Sequence, residues 1–276
     1  MNLDLNKVSG ELQLVGEGRT NFAFRIGELL IKCPKNTLTD KNVYNREKNN
    51  LVFLKEHGVN TPFIYGVFNG DSLQYPQFQE KNVLIEQFID GETLFEVQLE
   101  KENNFPSLIS LIERINDIKT EGYGDYNSGL FPSWKFYLMS LEKDIRRFIN
   151  ANEPSLLPLF NIEYTDVVDV ESRCLLMEFN PHNVIVSKTD NKLYLFDVAE
   201  LLFGDPLFQY TRYKLHFLAR GYPASIFDNK CVFDNPVLEK NYFLLVLGKE
   251  MMTRHKLGFS YENEKQLFLK CVEKVV

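Results

Sequence analysis

Residues 178–197, EFNPHNVIVSKTDNKLYLFD, hold two short β-rich runs, Val184-Ile185-Val186 and Leu193-Tyr194-Leu195-Phe196, on either side of a polar turn at 188–191. Such runs around turn residues spell a hairpin. A buried apolar run, Cys174-Leu175-Leu176-Met177, leads into it through a loop that carries Glu178, His182 and Asn183. Asn183 precedes the first strand and Asp197 follows the second, so pairing brings an amide oxygen and a carboxylate to one mouth. Both are hard oxygen donors of the kind that a hydrated magnesium ion accepts. Taken alone, the segment reads equally as a polar hairpin with solvated ends.

Upstream, residues 12–15 form a strand candidate that runs into Gly16-Glu17-Gly18-Arg19-Thr20-Asn21. Residues 22–26 alternate as a strand does, Gly27-Glu28 turns the chain, and Leu29-Leu30-Ile31-Lys32-Cys33 is the next strand. The glycines therefore lie between two strands, which argues against a dinucleotide fingerprint, where a helix opens directly after them. No G-x-x-x-x-G-K-[ST] occurs, so a P-loop is excluded. A glycine-rich hairpin turn can instead fold over phosphates, because missing side chains let the backbone approach closely; an ordinary glycine turn looks the same. Lys32 shares a strand face with Leu30, and a lysine on a core face needs an anionic partner. The helix read over 42–57, with Asp40 as N-cap and Gly58 as stop, supplies one. Glu47 lies on its apolar stripe of Val43, Leu51 and Leu54. With the opposite strand phase Lys32 is solvated, and at the edge of its stripe Glu47 is too; pairing makes the two less anomalous together than apart.

Residues 63–68 and 82–88 (NVLIEQF) read as further strands. At Ile89-Asp90-Gly91-Glu92-Thr93-Leu94 β-rich sequence gives way to helix-rich sequence, so the division into lobes is expected there, with residues 1–88 in the first and 89–276 in the second. Helices follow over 106–119, with the stripe Leu108, Leu111, Ile112, Ile115 and Ile118, and over 134–150, capped by Ser133. The acidic stretch 161–172 (Glu163, Asp166, Asp169, Glu171) reads as a solvated loop or as part of a site for a cationic ligand. Gly204-Asp205-Pro206 turns the chain after the hairpin, and 207–219, 237–257 and 261–276 are helical by pattern.

A chain of 276 residues suffices for one large domain or two lobes. Hydrophobic residues at 44% and charged residues at 25% mark an ordinary soluble globular protein. A net charge of −7 argues against a broad basic surface for nucleic acid. No run approaches the roughly 18 apolar residues that span a bilayer, and the N-terminus has no charged-then-apolar signal pattern. Four scattered cysteines without a C-x-x-C read as reduced thiols. The expected location is the cytoplasm, with neither nucleic acid nor membrane as partner.

Taken in order, these segments resemble the aminoglycoside phosphotransferase and choline-kinase-like family, small-molecule kinases of the protein-kinase fold. GEGRTNFAFRIG looks like the family's nucleotide-binding hairpin, and LLIKC carries its strand lysine at Lys32. NREKNNLVFLKEHGV is similar to the helix with the lysine-pairing glutamate, at Glu47. NVLIEQFIDGETL looks like the strand and inter-lobe linker, and GYGDYNSGLFPSWKFYL like the loop and helix that follow. LLMEFNPHNVIV is similar to the catalytic loop H-G-D-x-x-P-x-N, and LYLFDVAELLFGDP to the metal-binding I-D-[WF] segment with its trailing G-D-P.

The resemblance implies a bilobal α+β fold of protein-kinase type, with a small antiparallel β-sheet N-lobe carrying one helix and a larger, mainly helical C-lobe. It implies ATP or GTP as phosphate donor, Mg2+, and a small-molecule acceptor with a hydroxyl, aminoglycoside-like or another small alcohol, cationic or not. Carried over by position, Gly16, Gly18 and Asn21 would lie over the phosphates, and Lys32, held by Glu47, would contact them. The backbone around Glu86 and Phe88 would hold the base, Asn183 and Asp197 would bind the metal, and Glu178 would accept or orient the attacking hydroxyl. The departure is at that last position: where the family has His-Gly-Asp, this chain has Leu176-Met177-Glu178. Glutamate has a similar pKa on a side chain one methylene longer, and a misplacement of about 1 Å can cost about a hundredfold in rate. Two readings follow, an active phosphotransferase and a nucleotide-binding pseudokinase with a regulatory or scaffold role.

Overall fold

The computed structural model describes residues 3–5, 8–18, 20–35, 42–99, 106–164, 167, 170–178, 180–221 and 224–273. Arg19, Asp40, Asp166 and Asp169, singled out in the sequence, lie outside the described residues. The chain divides into two compact units, residues 1–103 with 178–201, and residues 104–177 with 202–276.

The first unit is built on an antiparallel sheet of β1 (Gln13–Glu17), β2 (Asn21–Ile26), β3 (Leu29–Pro34), β4 (Ile64–Asn69) and β5 (Asn82–Gln87), in the order β1-β2-β3-β5-β4. Register decides which side chains share a face. Lys32 pairs with Ala23 on β2 and with Leu84 on β5, and Leu30 pairs with Glu86. Directly paired residues point the same way, so Leu30, Lys32, Leu84 and Glu86 share one face. The other face buries Ile31, Cys33, Val83 and Ile85 with Val8, Ile26, Leu73 and Phe78.

Helix α1 (Val43–Glu56) starts after Asn42, whose side chain makes no capping bond, and ends where Gly58 takes a φ of 81°. A left-handed glycine at this position lets the last carbonyls find partners: the N–H of Gly58 bonds Lys55 O and that of Val59 bonds Leu54 O. The buried stripe of α1 is Tyr44, Glu47, Asn50, Leu51 and Leu54, with Val43 at its edge.

The hairpin read from residues 178–197 is β9 (Val184–Ser187) and β10 (Leu193–Leu195), with Leu195 opposite Val184 and Leu193 opposite Val186. A third strand, β6 (Gly91–Thr93), pairs with β9 on its other side. The sequence reading placed only a chain crossover there, because three residues are too few to display alternation. Helix α2 (Leu94–Leu99) follows, opened by a reciprocal cap in which Thr93 and Glu96 bond each other's backbone N–H groups.

The second unit holds α3 (Pro106–Asn116), α4 (Trp134–Asn152), α5 (Pro206–Ala219), α6 (Pro236–Lys256) and α7 (Glu262–Glu273). A small sheet runs β7-β11-β8, from β7 (Gly124–Asp125), β8 (Arg173–Leu176) and β11 (Leu201–Gly204). Its core is built on the apolar stripe of α4, which contributes Trp134, Tyr137, Leu138, Leu141, Ile145 and Phe148. Ser133 caps α4 as expected, accepting from Phe136 N–H at 3.3 Å. α3 stops three residues short of the expected end. Residues 118–120 are drawn alongside β8 instead, through Cys174 N–H to Ile118 O, Thr120 N–H to Ser172 O, and a bridge between Lys119 and Arg173. Asp205 caps α5 and also accepts from Tyr242 OH at 2.6 Å, while Tyr242 OH accepts from Trp134 Nε1 at 2.7 Å. Among the described residues no helix is long and apolar enough to cross a membrane. Cys33, Cys174 and Cys231 are buried free thiols, and Cys271 is half-buried.

Candidate functional site

Lys32 is the centre of a buried charge cluster in the first unit. It is 6% exposed, and its Nζ bonds Glu47 Oε1 from α1, donates to Asp197 Oδ1 at 3.2 Å, and stands 3.9 Å from Glu86 Oε1 on β5. Burial alone would pull the ammonium's pKa down, but the carboxylates of Asp197, Glu47 and Glu86 outweigh it and hold it well above the usual lysine value. Burial pushes Glu47 up to about 8 against the pull of Lys32. Glu86 is raised as well, by burial first and then by the charge of Asp197, which together outweigh the lowering by Lys32. A cation arriving at the cluster meets Asp197, whose side chain is 44% exposed while Glu47 and Glu86 are sealed.

The mouth of the hairpin is closed by backbone. Phe196 N–H bonds Asn183 O at 3.0 Å, and Asn183 N–H closes a single 3-10 turn onto Asn180 O at 2.7 Å. The Asn183 amide directs its Nδ2 toward Asp197 O at 3.5 Å. Asp197 sits in the left-handed region with φ 58°. Its neighbour is held from α1, where the buried side chain of Asn50 donates to Val198 O at 2.9 Å. An amide oxygen and a partly exposed carboxylate suit Mg2+, which takes one or two protein oxygens and completes its shell with water and phosphate. Among the described residues no group of three or more His, Cys, Asp or Glu is arranged to hold a metal.

Gly16 lies in β1, and Gly18 donates its N–H to Asn21 O at 2.9 Å across the β1–β2 turn. Asn21 Oδ1 accepts from Tyr44 OH at 2.9 Å, which ties this turn to α1 one helical turn before Glu47. At the end of β5, Gln87 N–H bonds Phe63 O and Phe88 N–H bonds Glu28 O, both at 2.8 Å. Those two donors are thus committed within the unit, and Arg25 lies over the Phe88 ring at 4.0 Å. Glu178 is exposed, directly after the buried Met177. Lys32, Glu47, Glu86 and Asp197 are brought into one cluster, and Asn183 adjoins it through Asp197. The sequence reading used Glu86 for its backbone and missed its side chain. The signal was there, a carboxylate inside the apolar run NVLIEQF, of the same kind that singled out Lys32. Tyr44 and Asn50 gave no such signal, because their polar ends meet partners far away in the chain.

No protein-family model matches the sequence, and no curated protein matches it. Solved structures do resemble it. A thermostable mutant of aminoglycoside phosphotransferase APH(4)-Ia, in ternary complex with ADP and hygromycin B, superposes with a TM-score of 0.66 at 15% identity, over 97% of this chain and 93% of that one. A putative fructosamine-3-kinase from Haemophilus somnus 129PT gives 0.62 at 13% identity, over 95% and 90%. A choline/ethanolamine kinase family protein from Mesorhizobium loti gives 0.54 at 13% identity, over 96% and 88%. With its antiparallel sheet, its helical remainder and these likenesses over nearly its whole length, the chain has the α+β, protein-kinase-like fold that small-molecule kinases share.

Proposed function

We propose that this chain transfers the γ-phosphate of ATP or GTP to a hydroxyl of a small molecule. The observation that carries the reading is the buried Lys32–Glu47 pair reaching Asp197 beside Asn183, on a fold whose similar structures include small-molecule kinases. Lys32, oriented by Glu47, presents its ammonium to the phosphates, and the turn with Gly16, Gly18 and Asn21 covers them with backbone. Backbone groups at the end of β5, around Glu86 and Phe88, hold the base; with the N–H groups of Gln87 and Phe88 committed, it falls to the other groups there to read its edge. Asn183 and Asp197 hold magnesium, which when bound neutralises charge on the phosphate oxygens. Glu178 accepts the proton of the attacking hydroxyl, whose oxygen bonds the γ-phosphorus as the nucleoside diphosphate leaves. The acceptor would be a small alcohol, aminoglycoside-like or of another kind, and cationic ones are among those to test. In the acidic stretch 161–172, Glu171 is already paired with Lys119 and Arg173.

The test is a thermal-shift screen of nucleotides with and without magnesium, followed by ATP consumption over a panel of amines and amino sugars. A magnesium-dependent shift with turnover on one acceptor class is expected. No magnesium-dependent shift would sink the reading. A shift without consumption of ATP on any acceptor identifies a nucleotide-binding module, the alternative that Leu176-Met177-Glu178 raises.

A further inference from the structure

The strand that delivers Glu178 is gripped at its end by one face of α5. Gln209, Arg212 and Tyr213 lie three and four positions apart, so they share that face, and all three are buried. Leu176 N–H donates to Gln209 Oε1 at 2.9 Å, Leu176 O accepts from Tyr213 OH, and Met177 O accepts from Arg212 Nη1. The grip is itself held. Arg212 places Nε and Nη2 on Glu250 Oε1 of α6, both at 2.6 Å. Asn116 at the end of α3 donates to Gln209 Oε1 at 3.1 Å and to Cys174 O at 2.8 Å.

Two successive peptide planes, 176–177 and 177–178, are thereby fixed, and with them the direction in which the backbone enters Glu178. Satisfying two carbonyls at a strand end does not call for a guanidinium. Burying one is costly unless it is paired and fully bonded, and a buried ion pair is weak evidence of stabilisation. It does fix geometry. Leu176 and Met177 stand where the family's His-Gly stands, and neither has a side chain that orients a loop by hydrogen bonding. Orientation has to come through the main chain, and α5 supplies it.

We propose that Gln209, Arg212 and Tyr213 are positioning residues for Glu178, acting through the carbonyls of Leu176 and Met177; this rests on reading Glu178 as the group that takes the hydroxyl proton. The test compares Arg212→Lys and Tyr213→Phe with the wild type, well below their melting temperatures. Lysine cannot serve Glu250 and Met177 O together, and phenylalanine removes one hydroxyl while keeping the ring, so the milder variant reports if the other does not fold. Steady-state MgATP consumption is measured with the acceptor found in the amine and amino-sugar panel, and hydrogen exchange is followed at the amides of residues 176–183. The expected result is a tenfold to hundredfold fall in kcat with the nucleotide KM within twofold, the scale of a displacement of about 1 Å. A kcat within twofold of wild type, or a fall matched by loss of nucleotide binding, overturns the proposal. If the wild type binds MgATP but turns over no acceptor, the phosphotransferase reading fails and exchange decides the positioning role. Amides 176–183 exchanging at least tenfold faster in the variants, with the slowest core amides unchanged, support it, and unchanged rates overturn it.

Discussion

Asp197 holds a conformation that few side chains accept. Among the described residues only Glu80, Asn191 and Asp197 combine a side chain with a positive φ, and Asn191 does so in a hairpin turn, where that is ordinary. Such strain costs about 1–3 kcal/mol and persists where the surroundings over-determine it. Here Asn50 holds the carbonyl after Asp197, and Asn183 O holds the N–H before it. The reward is a carboxylate that meets Lys32 and still faces solvent. Asparagine tolerates this backbone and a β-branched residue does not. Asp197→Asn is therefore expected to fold with near wild-type stability but to lose the magnesium-dependent nucleotide shift. Asp197→Val should lose the shift and a further about 1–2 kcal/mol. Urea denaturation and thermal shift measure both; equal stability of the two variants would mean that the left-handed backbone is not maintained.

Among the elements, the short strands were the hardest to see in the sequence, and β6 approaches β9 closely at its glycine. β6 is only Gly91, Glu92 and Thr93, yet a Cβ built on Gly91 would lie 2.3 Å from Val186 O and 2.5 Å from Ile185 Cγ2 on β9. Glycine is needed there for close approach. Backbone carbonyls cannot swing aside as a flexible side chain does, so Gly91→Ala should force β6 off the hairpin at a cost of about 1–3 kcal/mol. A fall in the melting temperature, with faster amide exchange across β9, is the expected observation; an unchanged melting temperature would contradict the close pairing. The longer elements were legible because α4 and α1 present stripes over several turns. The end of α3 was not, because the pairing of residues 118–120 with β8 overrides a helical pattern that runs on to Ile118.

For the whole molecule, the cluster around Lys32 makes stability depend on pH. Glu47 ordinarily titrates near 4.5 and is pushed up to about 8 by burial. Between those values the folded chain keeps a proton that the unfolded chain has released. Unfolding then gives up a proton, and rising pH favours it. This contribution is intact below about 4.5 and is lost as pH climbs to about 8. Glu86, raised in the same direction, adds to the trend. Calorimetry of the ligand-free protein should show the stability of the wild type falling relative to Glu47→Gln across that window, and a constant difference between the two would refute it.

The sequence by itself determined the alternation of strands in the first part, the helical stripes of the second, and the identity of two misplaced charges that needed each other. Each of those signals is local, a pattern within one element or a charge out of place in its own strand or helix, so periodicity and desolvation cost expose them. Only the tertiary structure decided that Glu86 turns its carboxylate toward Lys32, that Asn50 and Tyr44 pin the residues beside Asp197 and at Asn21, and that α5 takes hold of the peptide before Glu178. Those contacts join positions from 23 to 148 residues apart. No pattern in the intervening chain encodes them; strand register and helix packing bring them into range, where opposite charge draws Glu86 toward Lys32 and the cost of leaving a buried polar group unpaired makes the hydrogen bonds form.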